Sequence, residues 1–305
     1  MYTAHFGLAE LPFTITPDTS FYFPHSSYQD ALNTLLVAVR SGEGFIKVIG
    51  EVGTGKTLLC RKFLTLLEAE EYVTAYVPNP YVEPMTLLLA VADELGVVYE
   101  PNVNQHHLLK LLTQFLIDSN AGGKRVVLCL DEAQAMPTET LEALRLLSNL
   151  ETERSKLLQV VLFGQPELNT RLDDPAIRQL NQRIGFSCTL GKLNQNDVEY
   201  YLAHRLSKAG YRGARLFSRD AVRQLHRASR GIPRVINILA HKAMMASYGE
   251  GARYITDKYV KLAVRDTEST HDSRRARRAR YVITAAILAT VTLAIAGVLL
   301  WSKFP

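Results

Sequence analysis

The chain is poor in cysteine, carries no Pro/Gly-rich tract and, outside one short run, has no excess of either charge. Its three cysteines, Cys60, Cys129 and Cys188, are odd in number, widely spaced and set in apolar stretches. That excludes a disulfide framework and predicts buried, reduced thiols. Gly and Pro, 18 and 12 of 305 residues, show no period, which excludes a collagen-like or low-complexity chain. The eight histidines show no metal-ligand spacing. The adjacent His106 and His107 cannot share a helix face, so no zinc site is expected. No internal repeat is present. The opening MYTAHFGLAELPF lacks a basic n-region and a continuous apolar h-region, so no leader peptide is expected.

Net charge is +5, from 35 basic and 30 acidic side chains, and five of the arginines fall within Arg274–Arg280. Without them the two signs balance. A nucleic-acid binder would show a broader basic excess, so composition speaks against a nucleic-acid partner.

What the chain does have is apolar content. At 47% hydrophobic and 21% charged residues it can fill a sizeable core, in one large or two modest domains. From Tyr281 to Trp301 the sequence YVITAAILATVTLAIAGVLLW carries no charge. As a helix it would extend about 31 Å, close to the roughly 30 Å hydrocarbon core, with an aromatic at each end. The preceding arginines would stay on the cytoplasmic side. The expectation is a transmembrane helix at 281–301 with the N-terminal domains cytoplasmic.

The strongest chemical signal is Gly50-Glu51-Val52-Gly53-Thr54-Gly55-Lys56-Thr57, a complete GxxxxGK[ST]. Phe45–Ile49 before it reads as a buried strand, and the apolar spacing from Leu58 to Leu67 reads as a helix. Strand, glycine loop, helix is the context this motif requires. Glycines let backbone N–H groups turn inward around phosphates, and the helix start adds positive character. Lys56 then neutralises the β and γ phosphates of ATP, and the Thr57 hydroxyl is a hard ligand for Mg²⁺. Gly50 through Leu58 are therefore the candidate nucleotide-binding residues. A second apolar strand, Arg125–Leu130, ends in Asp131-Glu132. Asp131 suits the Mg²⁺ shell, and Glu132 suits polarisation of the attacking water.

Candidate strands at 45–50, 73–77, 125–130, 157–163 and 184–190 alternate with helical patterns at 28–40, 56–69, 84–95, 105–118 and 138–150. This predicts an α/β fold with a parallel sheet covered on both faces. Beyond Leu193 only helical patterns occur, at 195–208, 218–230, 232–247 and 257–265. The expected organisation is a P-loop core at 1–192, a small all-helical lid domain at 193–265, a basic linker at 266–280 and the span at 281–301.

These motifs resemble those of AAA+ ATPases, and most closely the general secretion pathway protein A and MSHA-type pilus-biogenesis (MshM-like) family. The resemblance rests on FGLAELPFTITPDTSFYF at Phe6–Phe23, GEVGTGKTLLCRKFL at Gly50–Leu64, LCLDEAQ at Leu128–Gln134, LFGQPEL at Leu162–Leu168, LNQRI at Leu180–Ile184 and GIPRVIN at Gly231–Asn237. It implies an ATPase at the inner (cytoplasmic) membrane that supports assembly of a type IV pilus or type II secretion apparatus. Its implied partners are the assembly proteins there and further copies of itself, as a ring or another homo-oligomer. It places Gln165 as the polar sensor near the γ-phosphate and Arg234 as the second sensor, in the lid. Arg178 or Arg183 takes the place of an arginine finger or of a surface ion pair, with Arg183 the better placed. Asn79 is either a residue that holds Glu132 or an ordinary turn asparagine. Phe13, Phe21, Tyr22 and Phe23 pack either on adenine or in the core. Two other readings stay open: a DNA-binding helper ATPase of transposition type, and a nucleotide-switched scaffold with negligible turnover.

Overall fold

The computed structural model describes residues 2–147 and 156–267. The chain begins with α1 (Thr3–Phe6), α2 (Ser26–Arg40), β1 (Phe45–Ile49), α3 (Lys56–Leu64), β2 (Tyr72–Val77) and α4 (Pro84–Leu95). Next come α5 (Gln105–Ala121), β3 (Arg125–Leu130), α6 (Thr138–Leu147), β4 (Leu158–Gly164), α7 (Glu167–Leu172), α8 (Arg178–Asn181) and β5 (Ile184–Thr189). Four helices close the described chain: α9 (Gln195–Lys208), α10 (Arg219–Ser229), α11 (Pro233–Gly249) and α12 (Asp257–Arg265).

The five strands form one parallel sheet in the order β2-β3-β4-β1-β5. β1, β3 and β4 are near-continuously apolar because both of their faces are buried, whereas the edge strand β5 is largely exposed or half-buried. Alternate residues feed two cores. Ile46, Val48, Val127, Cys129, Val161 and Phe163 join a core with α2, α3 and the four C-terminal helices. Phe45, Ile49, Val126, Leu128, Leu130, Leu158, Val160 and Leu162 join a second one with α4, α5 and α6. All three cysteines are buried free thiols, as their apolar settings predict.

Topology positions the site. β4 lies between β1 and β3, pairing Ile49 with Gly164 and Leu162 with Leu130. The carboxyl ends of three strands therefore sit side by side. The loops opening at Gly50, Asp131 and Gln165 converge where the order of strand addition reverses, which is where open α/β sheets bind ligands.

Beyond β5, α11 packs against α12 and α10, and α10 against α9. α9 starts with a reciprocal capping box: Asn194 Oδ1 accepts from the Asp197 N–H at 3.0 Å, and Asp197 Oδ2 from the Asn194 N–H at 2.9 Å. The N-terminal segment straps these helices to α3. Ala9 N–H donates to Ala209 O at 2.8 Å, Asn237 Nδ2 to Thr14 O at 3.0 Å, and an Arg61 guanidinium N–H to Pro17 O at 2.9 Å.

One expectation needs correction. Among the described residues no helix is long and apolar enough to cross a membrane, so the placement as a single-pass inner-membrane protein is not upheld. The longest described helices, α5 and α11, have 17 residues each, and both carry polar side chains; a span needs about 20 predominantly apolar residues. The segment 281–301, on which that expectation rested, lies outside the described residues, as does the linker beyond 267.

Candidate active site

The loop after β1 turns through Gly53 and Gly55 into α3, with φ of 80° and 97°. Both are in the left-handed region that favours glycine. A Cβ on Gly53 would also sit 2.7 Å from Arg234 Cβ, so the loop and α11 touch at this point. Arg234 N–H donates to Gly53 O at 3.1 Å. Below the loop, the Tyr28 hydroxyl donates to the Thr54 carbonyl, while Thr54 Oγ1 donates to Glu51 O at 2.8 Å. Glu51 also meets Lys192 Nζ at 3.3 Å, an exposed pair. Val52 is exposed, and Leu58 lines the cleft beside the loop.

Lys56, the first residue of α3, is only 5% exposed. Its ammonium folds back into the loop, donating to Gly50 O at 2.9 Å and Glu51 O at 3.3 Å. Burial pulls its pKa below the usual lysine value, opposed by the carboxylates of Glu132, Asp131, Glu167 and Glu51. Next to it, Thr57 Oγ1 donates to Asp131 Oδ2 at 2.5 Å. Burial raises the Asp131 pKa and the nearby Glu132 charge adds to the rise, although the Thr57 hydroxyl, the Glu132 N–H and Lys56 pull the other way. The Tyr76 hydroxyl stands 3.5 Å from Asp131 Oδ2. Burial and that carboxylate push its pKa up to about 12, so it stays a donor.

Glu132 has left-handed backbone, φ 53° and ψ 37°, a conformation costing a non-glycine residue roughly 1–2 kcal/mol. Its carboxylate is clamped. Gln134 Nε2 donates to Glu132 Oε2 at 2.6 Å and Gln165 Nε2 to the same oxygen at 3.0 Å. The two residues are themselves joined, since the Gln165 backbone N–H donates to Gln134 Oε1 at 3.0 Å. Burial works to raise the Glu132 pKa. The donors Gln165 and Gln134, with the Lys56 charge, outweigh it and leave the group below its ordinary value.

The structure thus brings Gly50–Leu58, Asp131, Glu132 and Gln165 together, with Arg234 at the rim. It does not bring Arg178 or Arg183 to the cleft; both are exposed, at α8 and just before β5. Asn79 is a turn residue: its Oδ1 accepts from the Tyr81 N–H at 3.3 Å, and Glu132 is held by Gln134 and Gln165 instead. Phe13 packs edge-on against Phe217, with centroids 6.0 Å apart, and takes no part in the cleft. Phe21, Tyr22 and Phe23 line an apolar recess beside Gly55 and Leu58, together with Tyr28, Leu193 and Tyr201. A larger hollow between α9 and residues 211–217 holds none of these groups.

The residues 39–172 match a family model described as an AAA domain. General secretion pathway protein A of Aeromonas hydrophila is 39% identical over 292 residues, which is 96% of this chain and 53% of that protein. The chain carries an AAA domain and is related over nearly its whole length to general secretion pathway protein A. It spans about half the length of the curated relative it matches. Among solved structures, Cdc6p from Pyrobaculum aerophilum superimposes with a TM-score of 0.62 at 17% identity, over 82% of this chain and 71% of that one. Drosophila ORC bound to DNA gives a TM-score of 0.64 at 17% identity, over 84% of this chain and 64% of that one. Both share the AAA+ fold with this chain. Family members generally bind ATP with Mg²⁺, and the oxygen-only pair Thr57 and Asp131 fits such a hard cation.

Several site residues escape sequence reasoning. Arg205 is buried, donates through Nε to Pro12 O at 2.5 Å, and places its guanidinium 4.6 Å from the Phe21 ring centroid. With Tyr201 and Asn237 it forms one wall of the cleft. Gln134 had a local signal, as it lies two residues from Glu132. Arg205 had none.

Proposed function

We propose that this AAA+ chain binds and hydrolyses Mg²⁺-ATP at the crevice, and that the cycle supports assembly of an MSHA-type type IV pilus or a type II secretion apparatus. The observation that carries the reading is the Thr57–Asp131 contact, made across 74 positions of sequence directly beside Lys56 and Glu132. Relatedness to general secretion pathway protein A supports the secretion side. Pilus or secretion assembly proteins and further copies of the chain are the partners in this reading.

Thr57 and Asp131 would hold a magnesium ion, which would neutralise phosphate charge. Lys56 contributes a point charge at the β and γ phosphates. Glu132, kept ionised by its amide donors, accepts a proton from water as the water oxygen attacks the γ-phosphorus and the bond to the β–γ bridging oxygen breaks. Gln165 orients Glu132 and senses the γ-phosphate. Arg234, bonded to the loop at Gly53, transmits nucleotide state to residues 193–265, which act as a lid on the 1–192 core. Arg183 of a neighbouring copy stabilises the developing charge, a contribution worth about 10³–10⁵ in rate in related chemistry.

The test is ATP hydrolysis per subunit as a function of protein concentration, with Arg183→Ala and Lys56→Ala copies measured singly and mixed. The reading expects slow turnover when dilute, a rise on assembly and partial recovery in the mixture. A dilute monomer as fast as the assembled form would remove the arginine in trans. Absence of hydrolysis at every concentration would remove the ATPase reading.

A further inference from the structure

The balanced charge outside 274–280 is the sum of two opposite halves. Residues 193–267 carry 14 Lys and Arg against 6 Asp and Glu, whereas residues 1–192 carry 15 against 22. A prominent part of the basic excess stands on the outer face of α10. The inner face of that helix, Ala221, Val222, Leu225 and Ser229, is buried. Arg219, Arg223, Arg227 and, at the C-cap, Arg230 are all exposed.

At about 100° and 1.5 Å per residue, Arg219, Arg223 and Arg227 fall within an arc of about 80° and form a row about 12 Å long, with Arg230 following at the C-cap. Steps of four residues put an arginine about every 6 Å along the helix. The helix offers one acidic residue, Asp220, 3.3 Å from Arg223, and both side chains are more than half exposed. Arg219, Arg227 and Arg230 have no ion-pair partner among the described residues. Arg230 adds an independent sign. It is in the left-handed region, φ 54° and ψ 28°, at a helix end, a conformation that favours Gly or Asn. A strained long side chain here extends the row by one more charge.

We propose that this face of α10 docks the phosphate backbone of duplex DNA. Each strand of duplex DNA carries one phosphate per about 3.4 Å of axis, a charge density that a row of arginines at this spacing can engage. All four side chains are arginine, whose planar fork suits phosphate oxygens better than an ammonium does. The acidic 1–192 half repels the same polyanion and leaves the lid side as the approach. An acidic protein would match the charge but has no repeat to match the spacing. The surface lies outside the nucleotide crevice and stands independently of it.

The experiment is fluorescence anisotropy of the full chain with a labelled 30-bp duplex, at salt between 50 and 200 mM. Four phosphate contacts predict an affinity that falls about 100-fold over that range. The surface variant Arg219→Gln/Arg223→Gln/Arg227→Gln, checked by thermal melting, is expected to bind at least tenfold more weakly at 50 mM with a shallower salt slope. Replacing the arginines of 274–280 with Gln is expected to change affinity less than threefold. The proposal is overturned if the duplex does not bind, or if the α10 variant binds like the parent. It is equally overturned if binding goes with the 274–280 variant, or if polyglutamate of equal charge competes as well as the duplex.

Discussion

Thr57 Oγ1 lies 2.5 Å from Asp131 Oδ2, tying the helix after β1 to the end of β3 across the intervening β4. Burial holds the Asp131 pKa above the usual carboxylate value. The sign is the reverse of a stabilising ion pair. The folded state binds the proton more readily than the unfolded chain, so this group's contribution to stability falls as pH rises through the raised pKa. Asp131→Asn keeps an acceptor for Thr57 and removes the buried charge. Without magnesium the variant is expected to melt at the parent's temperature or above it, by up to about 1–2 kcal/mol. Its Mg²⁺-dependent ATP hydrolysis is expected to drop by roughly 100-fold or more. Differential scanning calorimetry and a phosphate-release assay check the two halves; a variant destabilised by several kcal/mol would assign Asp131 a structural role.

Glu132 is held by two amides, and its pKa is below the ordinary value because those donors and Lys56 outweigh burial. Glu132→Gln is expected to cut kcat by about 10²–10⁴ with nucleotide affinity within a few-fold of the parent. Gln165→Leu removes one donor to the ionised form. The Glu132 pKa then rises, the acid limb of kcat against pH moves upward, and activity near pH 5 is lost first. An acid limb that does not move would show that Glu132 is not the base.

Arg205 bridges α9 to the N-terminal segment through Pro12 O and the Phe21 ring. Arg205→Met keeps much of the apolar stem and loses the charged hydrogen bonds. The expected cost is about 2–4 kcal/mol of stability, read from urea unfolding. A loss under 0.5 kcal/mol would mean that the N-terminal segment is anchored elsewhere.

Two histidines make stability depend on pH. Burial lowers the pKa of His204, with Lys208 and Arg205 adding to it, and burial alone lowers that of His241. His204 Nε2 has no partner, and His241 Nδ1 meets the Tyr2 hydroxyl at 2.8 Å. Because the unfolded chain binds these protons more readily, the contribution is full at pH above about 6.5 and is lost as pH falls below it. His204→Phe is expected to flatten the decline in unfolding midpoint between pH 7 and 5. An unchanged slope would exclude His204 as its source.

The sheet and its helices were legible because β-branched runs and 3.6-residue spacing are local signals. All five strands form within a residue or so of their expected limits. That the glycine loop and Asp131-Glu132 belong together was legible from their fixed-spacing motifs, each at the end of a strand. Arg205 was not, since its value comes from Pro12, 193 positions away. The Glu132 clamp was half legible: Gln165 was named, whereas Asn79 drew attention that belonged to Gln134. The balance of charge outside 274–280 likewise hid a basic α10 face offset by the acidic 1–192 half.

In the proposed function Lys56 serves a bound triphosphate. Lys56 is buried against the carbonyls of Gly50 and Glu51, so Lys56→Ala must first be shown to melt cooperatively. Calorimetric titration of parent and variant with ATP, with and without Mg²⁺, then decides the matter. The parent is expected to bind in a Mg²⁺-dependent way, and Lys56→Ala at least about 100-fold more weakly. Equal binding by both, or none by the parent, would contradict it.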